Sequence, residues 1–204
     1  KNMAENLDDV PEGFDKTIDL DKVKSIAILG DTDSGKTNLG FYYLNSYRGK
    51  RKKYLLGYPK QVEGLTNIST FNDLFNITDG VIYCDEIQKF IKVYDKKANY
   101  QLMELISLFA HKGNTIIFST QMTQFITRGV EGFVDVWAVK RIDLESLKNG
   151  CKAKRVIERL IDPRKTEWIL DLKPEEWFEY SEKNEPGQNR IKKFPFQNIG
   201  KDWR

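Results

Sequence analysis

Short apolar, β-branched runs recur along the first two-thirds of the chain, each ending at a polar or glycine-containing stretch. Ser25 to Leu29, Val81 to Cys84, Thr115 to Ser119 and Val134 to Val139 are of this kind, and Tyr54 to Gly57 is a further strand candidate. They are too short for buried helices and lack the alternation of a half-wet strand, so they predict strands buried on both faces. Between them lie segments with helical spacing. Asn99 to His111 carries Leu102, Leu105, Ile106 and Phe109 on one face, and Asn38 to Tyr47 is a second helix candidate. Strands alternating with helices predict an α/β fold, a mostly parallel sheet between helices. Ligands of such sheets bind at the carboxyl ends of the strands.

The flanks are less regular. Lys1 to about Val23 is acidic and polar, with Pro11 and Gly13 as breakers, and reads as an N-terminal arm (1–23). Residues 24–141 read as the core of one domain spanning 1–204, and 142–204 as a C-terminal extension. Within the extension, Ala153 to Ile161 and Glu167 to Leu172 predict a β-hairpin turning at Asp162-Pro163-Arg164-Lys165. Trp177 to Arg204 is aromatic and basic without clear periodicity. Between Pro59 and Asn76 the pattern is weak, although Thr70 can cap a helical turn.

Composition changes this reading little. The net charge of +3 does not by itself argue for a nucleic-acid partner, so such an argument rests on where the basic residues cluster. Two clusters exist: Arg48 to Lys53, and Lys89, Lys92, Lys96 and Lys97 among Phe90 and Tyr94. Each is either a solvated face or a phosphate-tracking surface. Cys84 and Cys151 have no metal-type spacing and are too few for a disulfide framework, which favours a reducing setting. A lone histidine argues against a multi-histidine metal site. No apolar run approaches the ~20 residues of a transmembrane helix.

The first strand runs into Gly30, Asp31, Thr32, Asp33, Ser34, Gly35, Lys36 and Thr37, a complete G-x-x-x-x-G-K-[ST] phosphate-binding loop. Gly30 and Gly35 free the backbone so that successive N–H groups can wrap phosphate oxygens. Lys36 places a point charge at the β- and γ-phosphates, and the Thr37 hydroxyl is a ligand for Mg²⁺. Asn38 begins the helix whose N-terminal dipole favours the same phosphates, and completes the nucleotide-binding set.

Two more strand ends face that loop in a parallel sheet. Asp85 follows Val81 to Cys84 and is a natural second anchor for Mg²⁺. Glu86 comes next, where a carboxylate can polarise an attacking water. A nucleotide kinase does not need that group, because its acceptor is a second substrate. Gln121 ends the Thr115 strand and can orient the water or sense the γ-phosphate; its plainer role is to cap the next segment. Arg128 is a candidate arginine finger, with Arg141 in reserve, or an ordinary salt-bridged residue. His111 and Lys112 read as a cationic helix C-terminus.

Together GDTDSGKT, VIYCDE and NTIIFSTQ followed by Arg128 resemble the FtsK/HerA superfamily of P-loop ATPases, in the additional-strand, catalytic-glutamate division. Small size and the lack of a membrane anchor are most similar to the genome-packaging ATPases of tailless, membrane-containing icosahedral viruses, archaeal ones in particular. The resemblance implies ATP and Mg²⁺ as cofactors, with Lys36 and Thr37 on phosphate and metal and Asp85 on the metal. It further implies Glu86 on the water, Gln121 as polar sensor and Arg128 as finger. It implies a homo-oligomeric ring, hexamer or pentamer, that pumps double-stranded DNA through a viral capsid vertex, in the host cytoplasm or on the virion. One departure stands out: many relatives carry an Arg-His or Arg-Lys pair where this chain has Ala110-His111-Lys112. A phage assembly or secretion ATPase similar to the zonula-occludens-toxin-like proteins is the alternative.

Overall fold

A computed structural model of the chain describes residues 12–90, 96–121, 130, 132–144, 167–181 and 190–196, with the backbone alone at 96–99 and 101. Its centre is an eight-stranded sheet in the order β3-β2-β4-β5-β1-β6-β7-β8. The strands are β1 (Ser25–Leu29), β2 (Lys52–Leu56), β3 (Thr66–Ile68), β4 (Gly80–Cys84), β5 (Thr115–Thr120), β6 (Val136–Val139), β7 (Glu176–Tyr180) and β8 (Arg190–Lys193). β1 through β6 pair in parallel, and β7 and β8 add an antiparallel edge. β5 lies between β1 and β4, so the phosphate-loop strand and the Asp-Glu strand are separated by one strand.

The continuous apolar runs follow from burial on both faces. Ile26 and Ile28 of β1, Tyr83 of β4 and Ile117 of β5 pack on one face against Leu39, Tyr43 and Leu44 of α1 (Lys36–Ser46). Ala27 and Leu29, Ile82, Ile116 and Phe118 pack on the other against Leu102, Leu105, Ile106 and Phe109 of α2 (Lys96–His111). The residues expected to form one face of that helix do so. At about 25 cal/mol per Å² of buried apolar surface, these two layers supply the main drive for folding.

The segment before β1 is stitched to the sheet rather than loose where it is described. Leu20 and Val23 are buried, and Arg51 donates to the Leu20 carbonyl (2.8 Å) and the Thr115 hydroxyl (3.0 Å) while stacking on Tyr47. That use removes Arg51 from the basic cluster; its side chain is only 8% exposed, whereas Arg48, Lys50 and Lys52 remain exposed. Thr70 does cap a turn, the 3₁₀ segment Phe71–Asn76, in a reciprocal box with Asp73.

The C-terminal hairpin exists but not where the pattern places it. Glu167–Leu170 is a helical turn, α3, with Ile169 and Leu172 buried beside Val139 and Phe178; Ala153 to Ile161 lies outside the described residues. The antiparallel pair is β7 with β8, within the stretch that shows no periodicity. Among the described residues no helix is long and apolar enough to cross a membrane.

Candidate active site

The phosphate loop crosses the carboxyl ends of β1, β5 and β4, where a parallel sheet places its ligands. Gly35 caps α1 in the left-handed region (φ 89°), which an L-residue adopts only with strain, and a Cβ there would lie 2.6 Å from the Pro174 carbonyl oxygen. At Gly30 the constraint is close approach: a Cβ would meet the Lys140 Cβ at 2.6 Å and the Ser34 hydroxyl at 2.7 Å. Lys36 is buried, and its ammonium donates to the Asp31 carbonyl at 2.6 Å. Burial pulls its pKa down to about 8, against the opposing charges of Glu86, Asp85, Asp31 and Asp33. Asn38 is buried, Thr32 and Asp33 are exposed, and Asp33 has a positive φ of 57°. Desolvation raises the pKa of Asp31, whose carboxylate accepts from the Asp143 N–H; the Asp143 carboxyl adds repulsion.

Asp85 sits at the end of β4, 3% exposed, and is held by three hydroxyls. Thr37 donates to it at 3.1 Å, Tyr83 at 2.7 Å and Ser119 at 2.9 Å. Thr37 and Asp85 therefore share one small space with two hard oxygen ligands. Glu86 follows in a left-handed conformation (φ 51°, ψ 62°), sparsely populated by non-glycine residues. Its N–H donates to Ser119 at 2.9 Å, which fixes the turn. Its carboxylate accepts from the Gln121 amide at 2.5 Å and is ion-paired with Lys89 at 2.6 Å. Gln121 in turn accepts from Thr32 of the loop at 3.1 Å. One chain of contacts thus runs from the loop through Gln121 to Glu86.

Lys36, Thr37, Asp85, Glu86 and Gln121 converge, as their strand-end positions predict. Arg128 lies outside the described residues. Arg141 flanks the loop, exposed, and its carbonyl accepts from the Asp31 N–H at 3.0 Å. Lys112 closes α2 and donates to the Phe75 carbonyl.

Sequence reasoning misses the other flank. Lys140, fully buried at the end of β6, donates to the carbonyls of Pro174 and Glu176 and lies 4.9 Å from the Phe194 ring centre. Burial depresses its pKa to about 7, opposed by Glu175 and Glu176 and reinforced by Lys36. The signal that finds Asp85 and Gln121, a polar residue directly after a buried strand, also marks Lys140.

The residues fit a nucleoside triphosphate with Mg²⁺. The Ser34 hydroxyl is buried in the loop with no hydrogen-bond partner, Lys36 supplies a buried cation, and Thr37 with Asp85 supplies hard oxygens. A phosphate loop on a mostly parallel sheet with β5 between β1 and β4 defines the P-loop NTPase fold of the additional-strand type.

Particular proteins share that fold. No family model matches the sequence, and no curated protein matches it. Among solved structures it is similar to B204, the DNA-packaging ATPase of Sulfolobus turreted icosahedral virus. There the TM-score is 0.62 and the identity 17%, over 85% of this chain and 98% of that one. The genome-packaging NTPase B204 of Sulfolobus turreted icosahedral virus 2, solved with AMPPCP, gives a TM-score of 0.59 at 16% identity, over 86% and 99%. The cytoplasmic domain of the type VII secretion ATPase EccC of Thermomonospora curvata gives 0.58 at 12% identity, over 88% of this chain but 24% of that one. These likenesses are of fold.

Proposed function

We propose that this chain is a Mg²⁺-dependent ATPase of a viral genome-packaging motor, driving double-stranded DNA into a preformed capsid. The observation that carries the hydrolytic part is Glu86, next to the metal-side Asp85 and tied through Gln121 to the phosphate loop. Thr37 and Asp85 would hold Mg²⁺, which would supply positive charge to offset that of the phosphates. The chain's own residues do the rest. Lys36 and the loop N–H groups orient the γ-phosphate, and Glu86 accepts the proton of the attacking water. As the water oxygen bonds to the γ-phosphorus, the bond to the β-phosphate oxygen breaks and ADP leaves. Gln121 positions both the water and Glu86.

The likeness to B204 over nearly its whole length supports packaging as the task. Double-stranded DNA and the capsid vertex are then the partners, and a ring is the working form, with Arg128 reaching the neighbouring subunit's nucleotide. The likeness to EccC favours the second reading, an ATPase that moves protein or assembles virions. Steady-state ATPase rates with and without double-stranded DNA separate the two. Several-fold stimulation by DNA is expected of the motor, and an unchanged rate rejects it.

A further inference from the structure

We propose that Lys89 is a positioning residue that holds Glu86 off the attacking water, and that a DNA phosphate backbone releases it. The inference rests on the reading of Glu86 as the base. Glu86 caps the 3₁₀ turn Ile87–Lys89, and the Lys89 N–H closes that turn on the Glu86 carbonyl at 2.9 Å. The closed turn brings Lys89 back to Glu86, three residues earlier in the spacing D-E-x-x-K, so that the ammonium meets the carboxylate. The result is the 2.6 Å ion pair on Oε2, while Gln121 holds Oε1.

A general base needs a lone pair aimed at the water, within about 2.6–3.2 Å of its oxygen. The amide of Gln121 leaves that possible, because a carboxylate oxygen accepts more than one bond. The Lys89 ammonium competes for the other oxygen and fixes the carboxylate toward the turn. The two ends of the pair differ in exposure. The Glu86 side chain is 23% exposed and sits in the site, whereas Lys89 is 51% exposed. Lys89 is therefore the end a macromolecular anion can reach. An exposed pair of this kind biases an equilibrium by no more than about fivefold, so it is a latch that many phosphates in a row can open. Lys92, Lys96 and Lys97 follow it in the sequence. Lys89 thus belongs to the switch rather than to the grip.

The test compares Lys89→Met and Lys89→Arg in the full chain, reading kcat and KM for ATP with and without double-stranded DNA. Lys89→Met should raise the DNA-free kcat about two- to fivefold with KM unchanged, and shrink the stimulation by DNA by the same factor. Lys89→Arg should keep the low basal rate and the full stimulation. Added salt should raise the DNA-free rate of the unaltered protein but not of Lys89→Met, since only the former has a pair to screen. An unchanged or lower basal kcat in Lys89→Met, with DNA stimulation intact, overturns the latch. Glu86→Gln run in parallel keeps the two claims apart. If it turns over normally, the reading of Glu86 fails; if it is inactive while Lys89→Met is unchanged, only the latch fails.

Discussion

The phosphate loop has two flanks built in opposite ways. On the β4–β5 side Asp85, Glu86, Ser119 and Gln121 meet it, each at or near the end of a buried strand. On the β6 side the contacts come from Lys140, Pro174 and Phe196, and Pro174 and Phe196 belong to segments far along the chain. The first flank carries oxygen ligands and a strained carboxylate; the second carries packing and a buried ammonium that clasps two carbonyls. In the proposed mechanism the difference separates chemistry from support. A loop that must grip a polyanion needs rigid backing as much as charge, and here the backing is the C-terminal hairpin.

Substitutions can break that contrast. The largest effect is expected at Glu86. Glu86→Gln keeps the shape and the tie to Gln121 but removes the proposed base, so kcat should fall about 10²–10⁴-fold while ATP still binds. Turnover and nucleotide binding measured side by side check this. Next is Gly35→Ala on the seam between the flanks. A Cβ at φ 89°, 2.6 Å from the Pro174 oxygen, should shift the loop and cost about 10–100-fold in nucleotide affinity.

A smaller effect tests the charge on Lys36. Its pKa of about 8 lies below the ordinary lysine value because it is buried, and bound phosphates favour the charged form. Affinity for ATP should therefore be level below pH 8 and weaken above it, by at most about tenfold per pH unit. A titration of Kd against pH without such a break contradicts the assignment. The smallest effect is Lys140→Met, which leaves the carbonyls of Pro174 and Glu176 without their donor. Affinity should drop about 3–10-fold, with cleavage of the bound nucleotide within about twofold of normal.

The two flanks were also unequally legible. β1, β4 and β5 read directly from continuous apolar runs, because burial on both faces leaves no room for polar residues. The polar residue that ends each run then falls in the site, which is why Asp85, Glu86 and Gln121 could be picked out. β7 hides its identity by burying a charge. Glu179 sits in mid-strand, 1% exposed, paired with Lys192 at 2.5 Å and accepting from Tyr43 and Trp177. Such an ion pair forms only across the finished sheet, so E-W-F-E-Y does not look like a core strand. The reverse holds at Glu167 to Leu172, where apolar residues suggest a strand. Ile169, in a helical turn, and Leu172, just beyond it, instead pack against Val139 and Phe178. Lys89 was legible as a charge but not as the partner of Glu86, because a 3₁₀ turn after a left-handed residue has no hydrophobic signature.

Single-turnover cleavage of ATP by Glu86→Gln, with protein in excess over nucleotide, tests most directly whether the β4–β5 flank does the chemistry. Expected is ATP that stays bound and uncleaved over many normal turnover times, with affinity preserved. Cleavage at a rate near that of the unaltered protein would contradict the role of Glu86.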